Sequence, residues 1–241
     1  MNASIERDYP LTPRWLTLFG WGALAFLLLS QVLGVLTSPP DRDMGDLQKI
    51  MYVHVPSAFM SLIGYAVIFV FGILYLVKRD LRYDLLAASA AQVGAVFAAA
   101  TLVTGSIWAR PTWNVWWTWD ARLTSMAVLF LMYVGYLVLR AFTEDEIRRA
   151  RWSAAIAGLG FINSGIVYMS VKWWRTIHQM QSTPGTIDPA YVRGFRMNII
   201  AFLFVFAYFV ISRYRVARVV RDVEARIEER ALAPNAENVH A

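Results

Sequence analysis

Six stretches of this chain are apolar for long enough to cross about 30 Å of hydrocarbon as helices. They lie near residues 15–37, 57–77, 85–109, 123–142, 152–171 and 197–212. The expected fold is therefore all-α: a polytopic integral membrane protein with six transmembrane helices. Only 17% of the residues are charged and 58% are hydrophobic, whereas a soluble domain carries about a quarter charged residues. No period of 20–50 residues and no second domain is visible, so residues 1–241 read as one membrane domain. Arg7 and Arg14 precede the first run as they would in a signal peptide. That run is too long for one and no Ala-x-Ala site follows, so it reads as a retained helix.

Charge sets the orientation. Fifteen of the 23 Lys and Arg residues fall on the side of both termini, and eight on the other. Positive charge marks the cytoplasmic side, so both termini are expected there. The net charge of +6 is explained the same way and needs no nucleic-acid partner. The outer loops are then 38–56, 110–122 and 172–196. They are longer than the inner connections and hold the unusual residues, so function is expected on the outer face.

Local signals refine the helices. Pro56 suits the first turn of the second helix, where a missing N–H costs nothing. Thr143-Glu144-Asp145-Glu146 reads as a capping box opening the fifth. The third helix is rich in Ala, Gly and Ser between Ala87 and Ala100, which suits close packing in the middle of the bundle or simply a good helix former. Residues 213–241 read as a basic cytoplasmic tail. Its first part, Arg213–Arg230, has the pattern of an amphipathic surface helix, and disorder is expected from about Ala231.

Several chemistries are excluded. With no cysteine there are no disulfides, thiolate metal sites or cysteine nucleophiles. No Gly-rich phosphate loop is present, so energy from nucleotide hydrolysis would have to come from a partner chain. No Ser/His/Asp arrangement or intramembrane carboxylate pair suggests hydrolysis, so the chain is not expected to be an enzyme. The intramembrane polar residues are uncharged: Gln31, Gln92, Thr104, Asn163 and Asn198. That argues against a proton-relay pump.

What remains is an aromatic cluster and two histidines. Trp108, Trp113, Trp116, Trp117 and Trp119 fall within twelve residues, and Pro111 is expected to interrupt any helix there. An interfacial belt supplies one or two tryptophans per helix end, so five in one loop exceeds it. Several indoles together make a flat, polarisable apolar patch edged with N–H donors. His54 lies just before the second helix and His178 just after the fifth; apart from His240 in the tail, they are the only histidines. If the fifth helix continues, Trp174 and His178 share a face at i,i+4 spacing. Two imidazoles beside an indole shelf suit a planar apolar ring with a metal at its centre, which describes haem. Acid should weaken such ligation. Two histidines with few carboxylates make a poor zinc site. Asp120 reads first as the N-cap of the fourth helix and second as an acceptor orienting a ligand histidine. Arg110, Arg122, Lys172 and Arg175 are cations on the side that charge bias disfavours. They suit the carboxylates of an anionic ligand and lipid phosphates equally.

The block Trp113–Ser125 resembles the tryptophan-rich WWD signature of haem-handling proteins, and the chain as a whole resembles the CcmC family, the haem exporter proteins C. The supporting segments are Tyr52-Val53-His54-Val55-Pro56, Gly94–Phe97, Leu102–Ser106, Trp173–Gln179 and Thr186–Pro189, and the resemblance spans all six helices from about Trp15 to Tyr214. Asn114 departs from the family's usual Gly, and Arg175 from an uncharged polar residue. The resemblance implies a bacterial inner-membrane protein that binds haem b transiently at the periplasmic face. It implies delivery to the haem chaperone CcmE, beside CcmA, CcmB and CcmD of an ABC transporter. By motif it places the axial ligands at His54 and His178 and the aromatic platform at Trp113, Trp116, Trp117 and Trp119. Asp120, Arg122 and Arg175 are expected to contact the same cofactor. Two rivals stand beside it: a bis-histidine electron-transfer cytochrome, and a structural scaffold whose aromatics only anchor it in the interface.

Overall fold

A computed structural model describes residues 12–178 and 187–237. Arg7, Gln179, Thr186 and His240, which figure in the sequence reading, lie outside the described residues. The described chain is helical throughout: α1 (Arg14–Thr37), α2 (Met51–Lys78), α3 (Leu81–Trp113), α4 (Ala121–Phe142), α5 (Glu146–Trp173) and α6 (Pro189–Glu237). A 3₁₀ turn, Asp46–Ile50, leads into α2. All six helices are long and apolar enough to span a membrane. The shortest, α4, has 22 residues and so is about 33 Å long. Large apolar side chains such as Leu18, Leu36, Val77 and Leu131 stand exposed on the outside of the bundle, as lipid contact requires.

The helices begin and end differently from the sequence expectation at several points. α2 starts at Met51, not near 57, so Pro56 sits in its second turn. α3 runs through Pro111 to Trp113 instead of breaking at the proline. It ends at Asn114, whose left-handed backbone (φ 58°) is the conformation that Asn tolerates better than most residues. The fifth helix is capped by Asp145, which accepts from the Arg148 N–H at 2.6 Å, so Thr143 does not open a capping box. α6 begins at Pro189 and extends without a break into the basic segment, with helical backbone to Glu237.

The middle of the bundle is α3, as its small residues suggest. Ala87, Ala90, Ala91 and Ala98 are buried, and α3 packs against α2, α4 and α6. Gly64 of α2 and Gly94 of α3 leave room for Tyr133 of α4; a Cβ at either position would meet the phenol oxygen. That phenol donates to the Ser61 carbonyl at 2.6 Å. At the arginine-rich end, Asp80 caps α3, and its hydrogen bond to the Arg82 guanidinium holds the carboxyl below the usual range. The same end carries a buried ion pair that the sequence reading missed. Arg140 of α4 grips Asp84 of α3 with two bonds of 2.6 and 2.8 Å and reaches Ser153 of α5 at 3.1 Å. The connections 38–50 and 114–120 and the segment 174–178 lie at the opposite end, which carries the histidines.

Candidate functional site

His54 lies in the first turn of α2, not in a loop before it, because α2 begins at Met51. Its ring is buried, with Nδ1 3.0 Å from the Thr104 hydroxyl oxygen on α3. That hydroxyl donates its own hydrogen to the Ala100 carbonyl at 2.6 Å, so towards the imidazole it acts as acceptor. Nδ1 therefore carries the proton, and Nε2 keeps the lone pair that a metal needs. Gly105 makes space for the ring: a Cβ there would stand 3.0 Å from Cε1. One turn further along α3, Trp108 meets the imidazole edge-on at 5.7 Å.

His178 is held by a different device. α5 ends at Trp173, and residues 174–178 are not helical, so Trp174 and His178 do not share a helix face. Instead Asp120 straps the segment down. One carboxylate oxygen caps α4 by accepting from the Leu123 N–H at 2.8 Å. The other accepts from the Thr176 hydroxyl at 2.6 Å and the Ile177 N–H at 3.2 Å. The Thr176 oxygen in turn accepts from the His178 N–H at 3.1 Å. Asp120 is thus the cap that the sequence reading put first, and its second oxygen holds Thr176 and Ile177.

The two imidazoles converge. Their centroids are 6.4 Å apart with ring planes 30° from parallel, and Trp113 lies 6.3 Å from His178. Two imidazoles on opposite sides of one metal have centroids about 6 Å apart, taking roughly 2 Å per metal–nitrogen bond and about 1 Å from nitrogen to ring centre. Around them opens a cavity of about 370 Å³. Its apolar wall includes Phe59, Leu102, Met126 and Val167, and its rim carries Trp108, Trp113, Trp117 and Arg122. Arg122 Nη1 and the indole nitrogens of Trp108 and Trp117 are buried and make no hydrogen bond among the described residues. Buried donors left unpaired are costly, so three of them in one cavity wall suit a ligand that brings acceptors. The apolar wall, the paired nitrogens and these donors together fit a metalloporphyrin with carboxylate arms.

Not every residue singled out in the sequence comes to the cavity. Trp116 and Trp119 are exposed, at 60% and 82%, and do not line it. Trp119 instead packs edge-on against Trp117 at 5.7 Å. Arg175 is also exposed and outside the lining, and Arg110 is engaged by Asn114. Sequence reasoning overlooked Thr104 as a partner of His54, and Met44 and Tyr168 as lining residues. A signal for the α3 wall was present: Thr101, Thr104, Gly105, Trp108 and Thr112 recur at three- and four-residue spacing, which puts them on one helix face.

Fold and site together define a polytopic helical membrane protein that gathers two imidazoles and a tryptophan rim at one end of its bundle. The profile of the family described as Heme exporter protein C, CcmC, matches residues 2–229. The chain is 37% identical over 225 residues to heme exporter protein C of Bradyrhizobium diazoefficiens, covering 90% of this chain and 84% of that one. It is 35% identical over 213 residues to heme exporter protein C of Escherichia coli K12, covering 85% and 87%. A putative cytochrome c biosynthesis ccmC-like mitochondrial protein of Marchantia polymorpha is 39% identical over 150 residues, covering 62% of this chain and 63% of its own length. The chain belongs to the heme exporter protein C family.

Proposed function

We propose that this chain is a haem-handling membrane component of cytochrome c maturation that holds haem b transiently in the cavity at the histidine end. His54 Nε2 and His178 ligate the iron from opposite sides. Trp113 and Trp117 flank the macrocycle, with Trp116 and Trp119 extending the aromatic surface outward. Arg122 and the indole N–H groups take the carboxylate arms, and Arg175 is left for whatever docks outside. The observation that carries this reading is the imidazole separation of 6.4 Å in a cavity with unpaired donors. The positive-inside bias puts both termini in the cytoplasm and the cavity on the periplasmic side of the bacterial inner membrane. Haem is cargo here, handed on to the chaperone CcmE, with CcmA, CcmB and CcmD forming the ATP-hydrolysing complex around this chain. The names of the bacterial and plant relatives support the haem and cytochrome c part of the reading.

The test is purification of the wild type, His54→Ala, His178→Ala and the double variant, with bound haem measured by absorption. Loss of haem or a changed Soret band in each single variant is expected. Equal haem and unchanged spectra in all four would remove the ligand assignment. Haem that no acceptor can withdraw from the wild type would favour a resident cytochrome, and no haem uptake at all would favour a scaffold.

A further inference from the structure

Pro56 leaves a gap in α2 close to His54. A proline in the second turn has no N–H, so the carbonyl four residues back, that of Tyr52, loses its helical donor. Inside a membrane an unpaired carbonyl is unfavourable and usually finds a substitute on a neighbouring helix. Here the substitute is Gln31 of α1, whose Nε2 donates to the Tyr52 carbonyl at 3.1 Å. The same amide donates to Asn198 Oδ1 on α6 at 2.7 Å. Asn198 is fully buried and fully used: its oxygen also accepts from the Ser30 hydroxyl at 3.0 Å, and its nitrogen donates to the Ser30 and Gly194 carbonyls at 3.0 and 2.9 Å. Packing tightens the same point. The Tyr52 ring is completely buried against Gly34 of α1 and Gly194 of α6, whose backbones approach so closely that a Cβ on Gly194 would stand 3.0 Å from the Gly34 Cα. Its hydroxyl is hydrogen-bonded to Ser38.

Three helices are thus tied together two residues before His54, through a side-chain amide that does the work of the missing backbone N–H. We propose that Gln31, held by Asn198, is a positioning residue for the haem ligand His54: it completes the proline-broken turn of α2 and so aims the imidazole into the cavity. Neither residue lines that cavity. The inference rests on the haem reading above, but it assigns a role to a network outside that site.

The proline supplies its own control. Pro56→Ala restores an N–H that can bond the Tyr52 carbonyl, so it should make Gln31 dispensable. The experiment compares the full-length wild type, Gln31→Leu, Pro56→Ala and Gln31→Leu/Pro56→Ala, each purified and titrated with haem. Affinity and iron spin state are read from the Soret band and electron paramagnetic resonance. Gln31→Leu is expected to bind haem about tenfold more weakly, with part of the low-spin, two-imidazole signal replaced by a high-spin one. The double variant should regain the affinity and spin state of Pro56→Ala alone. Gln31→Leu with wild-type affinity and spectrum would overturn the proposal, and so would a double variant as impaired as Gln31→Leu. If Gln31→Leu fails to fold, a folded, low-spin double variant supports the proposal. Failure of both to fold overturns it, since the restored backbone bond then does not replace the amide. His54→Ala, run alongside, separates the two ideas: an unchanged spectrum there removes the haem-ligand reading itself.

Discussion

Thr104→Val is the sharpest probe of the site, because it removes one oxygen and little else. In the wild type the Thr104 oxygen accepts from His54 Nδ1, and its hydrogen is committed to Ala100. Valine keeps the branched shape on the helix but offers no acceptor. Without ligand the imidazole of the variant can rotate or move its proton to Nε2. With iron at Nε2 it has neither escape, so a buried Nδ1–H is left unpaired in the bound state alone. His54 is only 8% exposed, so water gives little relief. An unpaired buried donor costs about 1–3 kcal/mol, which at roughly 1.4 kcal/mol per tenfold predicts about ten- to hundredfold weaker haem binding. That matches the usual loss when a ligand histidine loses its hydrogen-bond partner. The assay is a haem titration of the detergent-solubilised protein followed at the Soret band, with Thr104→Ser as the control that retains the hydroxyl. Serine should bind like wild type. Equal affinity in the serine and valine variants would refute both the proton placement on Nδ1 and the assignment of Nε2 to the metal.

Three further outcomes are expected. Asp120→Ala removes the α4 cap, worth about 1 kcal/mol of helix stability, and also frees Thr176 and Ile177; haem should leave it faster than wild type in a scavenging assay with excess haem-free globin. Acid should release haem reversibly, because protonation of either imidazole removes the lone pair that binds iron; occupancy falls as pH falls and returns on neutralisation, which a pH-jump absorption experiment reads. Asp84→Asn should weaken the protein by about 3–5 kcal/mol in a thermal or denaturant assay, by leaving Arg140 buried with half its partner. The haem spectrum should stay unchanged there, because that pair sits at the far end of the bundle, and Asp84→Leu/Arg140→Met should recover most of the stability.

The features readable in the sequence were those with long-range redundancy. Six apolar runs repeat one signal over twenty residues each, so the helix count holds even where single boundaries shift. The boundaries shifted where a local cue was overruled by packing. Pro111 does not stop α3, whose last turn carries Trp108 and Trp113 to the cavity, and Pro56 does not start α2, because Gln31 stands in for the lost bond. Capping also resisted reading: Thr143 and Asp145 both resemble caps, and only the path of the chain between α4 and α5 decides for Asp145. At the site, residue types singled out His54, His178 and Trp113, which the fold brings together. Pairings between helices did not: nothing in linear order links Thr104 to His54 or Asp84 to Arg140, because each pair is made by α3 packing against a neighbour.

The two imidazoles are held by unequal frameworks, and that difference bears on what the site can do. His54 sits on a buried helical turn, fixed through Thr104 to the central helix and through the Tyr52 carbonyl to α1 and α6. His178 sits on a non-helical segment that Asp120 holds through the Thr176 hydroxyl and the Ile177 N–H. Helical turns inside a bundle open only with the fold, whereas short irregular segments open locally at lower free energy. A resident cofactor is best served by two rigid ligands. A ligand that must be surrendered is better served by one fixed imidazole and one on a segment that can move. The carboxylate of Asp120 then has two tasks, starting α4 and holding the His178 segment, so movement of that segment is felt at the start of a membrane helix.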